Sequence, residues 1–514
     1  MLRGGWHSLS AMTLVLSSVA TTAAADELAA QATTALDQAV TFLREQVAVQ
    51  GSYLWKYTPD LERRWGEADA TPTQGWVQAP GTPAVGLAFL RAYEATGDPA
   101  FLAAAHEVGQ ALVQTQLISG GWWYFIEFDP EKRQAWCYRV DAISDQPCKA
   151  PKGNQYRDAT TFDDDTSQGA LRFLMLLDMR LKGIEKVDKT IREAIGYGLD
   201  RLIEAQYPNG AYPVGSDRKV ADALTTSAWR AHYPSEWSRQ YVKFAEPLFY
   251  AVNDQIIRDV IRAFLLAHRV YGREEDLATA MRAGDFLLAA QMPEPQRGWA
   301  QVYNRDLEPI WARKFEPPAV ASWETSGAVQ ALLELYVYTG EDRYREGAGH
   351  GVAWLDRSRL ADGQWARFYE LETNRPLYMT SEYELAYDDR DLPQHYGFQG
   401  SFEIPSTLAF YELLVEEGAA GARAALERDQ LTSDEQKRLT SCMREEVAAI
   451  VGGLDADGRW IDDDMLRLAT YNRNIDLLAT YVAAADGRRL TVDTTISGSD
   501  LADPTVGGSG CARK

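Results

Sequence analysis

Hydrophobic residues recur at spacings of three and four positions along most of the chain, the periodicity of helices that bury one face. A longer unit repeats above it: an amphipathic helix, a polar turn, an aromatic residue that begins an extended return, and a second helix with a compact apolar face. The returns begin at Tyr53, Trp122, Tyr212, Trp299, Trp365 and Trp460. The second helices are predicted around Val85–Leu90, Ala170–Leu177, Val260–His268, Val329–Leu335, Thr407–Leu414 and Leu477–Val482.

The spacing of these units indicates the architecture. Successive returns are 69, 90, 87, 66 and 95 residues apart, too long for a solenoid but suited to two helices plus a variable loop. Strand-like alternation is rare. We therefore predict an all-α fold, an α/α toroid of inner and outer helices, incomplete or of six hairpins, with short extended returns and loop insertions. An irregular all-α bundle is the alternative.

In a toroid the aromatic returns and the starts of the inner helices lie on one rim. Flat aromatic faces on such a rim are suited to stacking on sugar rings, whereas the alternative is that they belong to the core. The aromatic residues predicted to bind substrate are Trp122, Tyr212, Trp299, Trp365 and Tyr369.

The net charge and the N-terminal segment indicate which partners and which cellular location to expect. A net charge of −22 over 514 residues argues against a nucleic-acid partner. No apolar run approaches the ~20 residues of a membrane span. Residues 1–25 read as a signal peptide cleaved near Ala25, which predicts a secreted or periplasmic protein. We expect a single toroid domain over 26–494, a tail over 495–514, and a monomer.

An exported chain with four cysteines most simply forms two bridges. We favour Cys137 with Cys148 and Cys442 with Cys511, free buried thiols being the alternative.

Three acidic segments lie at the starts of inner helices: Asp163–Asp165, Asn253–Asp254 and Asp462–Asp464. Helix capping explains one carboxylate in each, but not three in a row. Clustered carboxylates favour a hard cation, so a Ca²⁺ site shared by Asp163 and Asp254 is a hypothesis.

Basic residues concentrate in two segments that follow aromatic returns. Arg313 and Lys314 occupy a Pro-bounded loop, and Arg367 and Arg375 flank an acidic turn. Arginines on an aromatic rim are suited to a substrate that carries carboxylates. The alternative is internal pairing with nearby acids, namely Glu316, Glu370 or Glu372.

In the segments that contain these acidic, basic and aromatic residues, the chain resembles polysaccharide lyase family 10, the pectate lyases with an α/α toroid fold. The resemblance covers about residues 111–400 and is carried in order by "GGWWYFIEF", "TTFDDDTSQGALRFL", "QYPNGAYP", "VNDQIIRDVIRAFLLA", "GWAQVYNRDLEPIWARKFEPP" and "GQWARFYELETNRPLY". It implies β-elimination on polygalacturonate or a related acidic polysaccharide, assisted by Ca²⁺. By this resemblance Asp163 and Asp254 match metal positions, Asp164 a substrate-site position, and Arg313 and Arg367 substrate-binding arginines.

The chain differs from the family at the position of the catalytic base. Where the family has an arginine that serves as base, this sequence has Ser381. Lys314, Arg375, Tyr378 and Tyr383 are the candidates to replace it. Two other functions stay open: a glycoside hydrolase that uses Asp163 with Glu324 or Glu403, and a uronate-binding protein without catalysis.

Overall fold

A computed structural model of the protein describes residues 27–142, 148, 155–216, 230–243 and 249–491. The predicted signal peptide at 1–25, the tail at 495–514 and Cys511 lie outside the described residues.

The described chain is mainly helical. The first helix, α1, covers 27–42 and continues into a π-helical turn at Leu43–Val47. The others are α2 (Thr82–Thr96), α3 (Pro99–Thr115), α4 (Thr166–Gly183), α5 (Lys189–Ala205), α6 (Ile256–Tyr271), α7 (Glu274–Ala290), α8 (Ser322–Thr339), α9 (Asp342–Arg357), α10 (Ile404–Glu427), α11 (Ser433–Gly453) and α12 (Leu468–Ala485). Every second helix predicted from the repeat lies inside an even-numbered helix.

The even-numbered helices form an inner ring. Helix α2 packs against α12 and α4, and the series continues from α4 through α6 and α8 to α10. Outer helices pack against them as hairpin partners, as in α2 with α3, α6 with α7 and α8 with α9. Inner helices such as α6 and α8 bury most of their residues, whereas α10 is more exposed. Outer helices such as α5 bury one stripe, here including Ile195, Leu199 and Leu202. This arrangement is an α/α toroid, which confirms the predicted fold class.

Local sequence explains where the helices begin and end. Asp98 and Asp188 cap the starts of α3 and α5 by accepting hydrogen bonds from backbone N–H groups. Thr432 and Glu435 form a capping box at α11. Helix α2 ends at Gly97, whose φ of 74° is the left-handed conformation that glycine adopts without a steric cost.

Short strands join the helices at the ends of the ring. Their bounds are β1 (Lys56–Tyr57), β2 (Arg64–Trp65), β3 (Gln74–Trp76), β4 (Phe125–Glu127), β5 (Thr160–Thr161), β6 (Gly215–Ser216), β7 (Tyr250–Ala251), β8 (Val302–Tyr303), β9 (Ala319–Ala321), β10 (Trp365–Ala366), β11 (Phe368–Glu370), β12 (Pro376–Met379), β13 (Leu385–Ala386), β14 (Gln399–Gly400) and β15 (Leu466–Arg467). All their pairings are antiparallel. The largest sheet has the order β13-β12-β11-β9, and Phe368 of β11 lies between Leu377 of β12 and Ala321 of β9.

The tryptophans of the returns belong to the core. Trp122, Trp299 and Trp365 are at most 1% exposed. Each indole N–H donates a hydrogen bond to a backbone carbonyl of the preceding outer helix: Leu112 at 3.0 Å, Leu287 at 2.8 Å and Leu355 at 2.7 Å, respectively. This repeated contact ties each return to its hairpin.

This burial corrects the prediction that the aromatic returns bind substrate. Tyr212 and Tyr369 are also at most 1% exposed. An aromatic residue at a return looks the same in sequence whether its ring points outward or inward. Here the rings fill the space between inner and outer helices, where a glycan cannot reach them.

Cys137 and Cys148 form a disulfide, the pairing favoured from the sequence. Cys442 is also disulfide-bonded, but the predicted partner Cys511 lies outside the described residues. Among the described helices, none has the length and apolar character needed to span a bilayer.

Candidate metal and substrate site

Two tight turns immediately precede inner helices α4 and α6. Each is a 3₁₀ turn, Asp163–Asp165 and Asn253–Gln255, and each ends in two left-handed residues. The φ angles are 47° and 56° at Asp164 and Asp165, and 48° and 62° at Asp254 and Gln255. Left-handed conformations cost non-glycine residues about 1–2 kcal/mol each, and Asp is among the residues that tolerate them. Such strain persists where the surroundings hold the turn in place.

The Asn253–Gln255 turn is held by helix α8. The buried Gln255 side chain donates a hydrogen bond of 2.9 Å from Nε2 to the carbonyl of Trp323. Gly327, one turn into α8, makes room for it, because a Cβ there would overlap the Gln255 amide. On the other turn, Asp165 forms an ion pair with Arg172 of α4.

The two turns bring three carboxylates together. One oxygen each from Asp163, Asp164 and Asp254 lies within 4.8 Å of the others. Asp163 and Asp254, which the sequence predicts to share one site, lie together at the starts of neighbouring inner helices. The third acidic segment does not join them: Asp462 lies 3.6 Å from Arg467, in the turn before α12.

Each carboxylate also has a neutral partner. Tyr124 donates its hydroxyl to Asp163 Oδ2 at 2.7 Å. The side-chain amide of Gln78 donates to Asp164 Oδ2 at 2.6 Å, and that of Asn253 donates to Asp254 Oδ2 at 2.7 Å. These contacts orient the carboxylates but do not neutralise their charge.

Burial and mutual repulsion raise the pKa values of the cluster. Burial, and then the charge of Asp254, raise the pKa of Asp164 to about 6. Burial and the charge of Asp163 raise the pKa of Asp254 to about 6. Burial, with the charge of Asp164, also raises the pKa of Asp163. The cluster is therefore an acidic site in which negative charge is not fully compensated.

The donor set is suited to a hard divalent cation. Two buried oxygens, Asp163 Oδ1 of the cluster and Asn253 Oδ1 next to it, have no hydrogen-bond partner among the residues that the structure describes. Carboxylate and amide oxygens are the ligands that Ca²⁺ prefers, and buried polar atoms without partners are costly. Asp163, Asp164, Asn253 and Asp254 are the residues that could hold such an ion.

Arg313 faces this cluster but is already paired. Its positive charge opposes part of the rise in the pKa values of Asp163, Asp164 and Asp254. Its guanidinium forms a two-point ion pair with Glu316, which also accepts the hydroxyl of Tyr396 at 2.6 Å. Although burial opposes the charge, the hydrogen bonds to Glu316 raise the pKa of Arg313. The internal pair named as the alternative for Arg313 is present, and it makes this arginine a poor base.

Arg367 lies in an aromatic enclosure. It is buried, and its guanidinium carbon lies 4.6 Å from the ring centre of Trp323 and 4.3 Å from that of Tyr396. Its NH2 atom lies 3.9 Å from Oε1 of the buried Glu324. Burial raises the pKa of Glu324 to about 7 despite the charge of Arg367, while Gln301 donates to the same Oε1 atom at 3.0 Å.

The other predicted basic residues, and the serine at the position of the family's base, lie near the four-stranded sheet β13-β12-β11-β9. The ammonium of Lys314 lies 3.9 Å from the ring centre of Tyr383, and the guanidinium of Arg375 lies 3.8 Å from that of Tyr387. Ser381 is exposed in the turn between β12 and β13 and donates a hydrogen bond of 3.2 Å to Asp391.

Sequence reasoning missed two residues of the site, Gln78 and Gly327. Gln78 lies in the turn before α2, the position that the acidic segments occupy before α4 and α6, so the helix repeat was a signal for it. No signal in the sequence indicates that Gly327 makes room for Gln255.

No known family model matches the chain, and no curated protein matches it in sequence. Solved structures share its fold at low identity. A family 10 polysaccharide lyase from Cellvibrio cellulosa, a mutant in complex with trigalacturonic acid, is 15% identical, with 64% of this chain and 98% of that chain covered and a TM-score of 0.42. A D-mannose isomerase is 13% identical over 88% of this chain and 96% of its own, with a TM-score of 0.45.

The α-1,6-mannanase GH76A from Salegentibacter sp. HEL1_6 is 12% identical over 88% of this chain and 98% of its own, with a TM-score of 0.40. At these identities and TM-scores the likenesses carry no further argument. The chain is an α/α toroid because of the inner and outer helices described above.

Proposed function

We propose that this protein is a carbohydrate-active enzyme that cleaves an acidic polysaccharide, polygalacturonate or a related uronide, by calcium-assisted β-elimination. The observation that supports the proposal is the meeting of Asp163, Asp164 and Asp254 within 4.8 Å at the starts of two inner helices, faced by Arg313. A chain of net charge −22 needs such a local site to bind a polyanion.

The chemistry explains why cations belong here. One of the base candidates named from the sequence would take the C5 proton, which builds negative charge on the neighbouring uronate carboxylate, and cations placed beforehand stabilise that charge. The bond from C4 to the glycosidic oxygen then breaks, the oxygen leaves with a proton from solvent, and the C4–C5 double bond of the unsaturated uronide forms. A bound Ca²⁺ supplies such charge and polarises the carboxylate. In this chain the three aspartates and Asn253 would hold the ion, and Arg313 and Arg367 would orient the uronate.

The test is incubation with polygalacturonate, with and without a chelator, followed by the ultraviolet absorbance of the unsaturated uronide. We expect a rise in absorbance that the chelator abolishes and that Asp254→Asn lowers at least about tenfold. Asp463→Asn is the matched control, because Asp463 has a φ of 47° in the turn before α12 and lies outside the cluster. Wild-type protein that produces no absorbance with added Ca²⁺ would refute the proposal.

The second function, a glycoside hydrolase, needs a carboxyl group that retains its proton near neutral pH, and the pKa of Glu324 is about 7. Glu324 is 0% exposed, so a hydrolase that used it would have to open the enclosure around Arg367 to admit the glycosidic oxygen. New reducing ends without ultraviolet absorbance would favour this hydrolase. Binding of the polymer without new ends would favour a uronate-binding protein.

A further inference from the structure

A lysine and three rings lie beyond Arg313, and we name Lys314, Phe315, Tyr383 and His395 the outer platform. The Phe315 ring lies 5.7 Å from that of Tyr383 and 5.0 Å from that of His395, between centroids. The rings of Tyr383 and His395 are 5.9 Å apart, and the Lys314 ammonium lies 3.9 Å from the Tyr383 ring centre. The three rings are therefore mutual neighbours, and Lys314 adjoins the Tyr383 ring.

The polar side chains of the platform are available to a ligand. Lys314 and His395 are exposed, and in the part of the chain that the structure describes neither makes a hydrogen bond or an ion pair. The adjoining loop also carries acidic side chains: Asp388 pairs with Arg390, Asp391 accepts from Ser381, and Glu382, Glu384 and Asp389 are exposed. None of these carboxylates forms an ion pair with Lys314 in the described residues, so an anion that displaces them would meet the Lys314 ammonium.

The turn that carries Tyr383 is held in one conformation by backbone hydrogen bonds. Tyr383 has a φ of 63°, a left-handed conformation that is costly for an aromatic residue. Its turn is closed by hydrogen bonds from the Tyr383 N–H to the Thr380 carbonyl at 2.9 Å and from the Thr380 N–H to the Glu384 carbonyl at 2.8 Å. These bonds fix the Tyr383 ring beside Lys314.

The platform continues directly from the acidic cluster. The Arg313 guanidinium, whose charge acts on Asp254, lies 5.0 Å from the ring centre of Phe315. It also lies 5.5 Å from the Tyr396 ring, which in turn lies 4.9 Å from that of Phe315. A chain of sugars that enters the cluster beside Arg313 would next pass over the platform.

We propose that the outer platform is a subsite for a second, carboxylate-bearing sugar ring of the substrate. The aromatic rings of the platform would pack against the sugar ring, while the Lys314 ammonium would bind its carboxylate and His395 would lie within reach of its hydroxyl groups. This role makes Lys314 a binding residue rather than the base. The inference rests on the proposed function, because it extends the same substrate by one sugar.

The test compares steady-state kinetics on digalacturonate and trigalacturonate for wild type, Lys314→Ala and Tyr383→Ala. We expect each variant to raise KM for trigalacturonate about tenfold, with kcat within about twofold and KM for digalacturonate little changed. Lys186→Ala is the control for removal of an exposed lysine, and thermal unfolding verifies that each variant folds.

The outcomes separate the two proposals. Unchanged KM for trigalacturonate in both variants of an active enzyme would overturn the platform alone. A loss of kcat at constant KM in Lys314→Ala would also overturn it, because that result assigns Lys314 to the chemical step. Wild-type protein that neither binds nor cleaves either oligomer would refute the proposed function, and the platform with it.

Discussion

Gly327→Ala, a change of one methyl group in helix α8, should disrupt the acidic cluster without touching any carboxylate. A Cβ at position 327 would overlap Oε1 and Cδ of Gln255 and stand 3.0 Å from its Nε2. Gln255 is 3% exposed, so the displaced amide has little free space to enter. Its hydrogen bond to the Trp323 carbonyl, 2.9 Å long, would be lost or distorted.

The magnitude follows from three contributions to the free energy of unfolding. Overpacking costs about 1–3 kcal/mol, and a buried acceptor left without its donor costs about 1–3 kcal/mol. Alanine in place of glycine within a helix offsets about 1 kcal/mol of this. We therefore expect Gly327→Ala to lower the free energy of unfolding by about 1–5 kcal/mol. Since Gln255 follows Asp254 in the same left-handed turn, the Ca²⁺ affinity should fall at least about tenfold.

The assay is chemical denaturation together with calorimetric titration of Ca²⁺. Gly196→Ala is the control, because it lies in outer helix α5 with no heavy atom within 4 Å of a built Cβ. It should keep the Ca²⁺ affinity and stabilise the fold slightly. Removing the Gln255 amide in Gln255→Ala should reduce the cost of Gly327→Ala. Wild-type stability and Ca²⁺ affinity in Gly327→Ala would refute the reasoning.

Two further predictions concern pH and the core. The pKa values of Asp164 and Asp254, about 6, exceed that of an ordinary Asp, so their ionisation destabilises the metal-free fold as pH rises from about 4 through 6. Because Ca²⁺ binds the ionised carboxylates, the rise in Tm that it causes should be larger at pH 7 than at pH 5, and equal shifts would contradict this. Trp299→Phe removes the hydrogen bond to the Leu287 carbonyl and should lower the free energy of unfolding by about 1–4 kcal/mol with KM unchanged. A raised KM at full stability would restore Trp299 to the substrate site.

The α/α fold and the meeting of two acidic segments could be predicted from the sequence, and the reason is physical. Apolar spacing of three and four positions reports which face of each helix is buried, and the repeat reports how helices alternate. Asp163 and Asp254 both lie at the starts of inner helices. Neighbouring inner helices bring those starts together, so the meeting of the two carboxylates followed from the toroid.

Side-chain direction was not accessible in the same way. The indole of Trp365 points inward because a carbonyl of the preceding outer helix, that of Leu355, lies within 2.7 Å of its N–H. Only the packed structure reveals that distance. Arg313 illustrates a second limit, since its partner Glu316 is three residues away and the sequence alone does not decide between this pair and a bound carboxylate.

The same turn, with two consecutive left-handed residues, occurs at several places in the toroid. The residue pairs Asp164–Asp165, Asp254–Gln255, Phe402–Glu403 and Asp463–Asp464 all have positive φ, before α4, α6 and α10 and in the turn before β15 and α12. Only the first two of these turns contribute to the three-carboxylate cluster among the described residues. The repeat thus supplies the same backbone bend several times, and the side chains around it decide where the site forms.

The most direct test of the central claim, that the cluster of Asp163, Asp164 and Asp254 binds a divalent cation, is calorimetric titration of Ca²⁺ into wild-type protein and Asp254→Asn. The account predicts saturable binding to one site in wild type and at least about tenfold weaker binding in the variant, with Asp463→Asn behaving as wild type. No measurable binding to wild type, or equal affinity in Asp254→Asn, would contradict it.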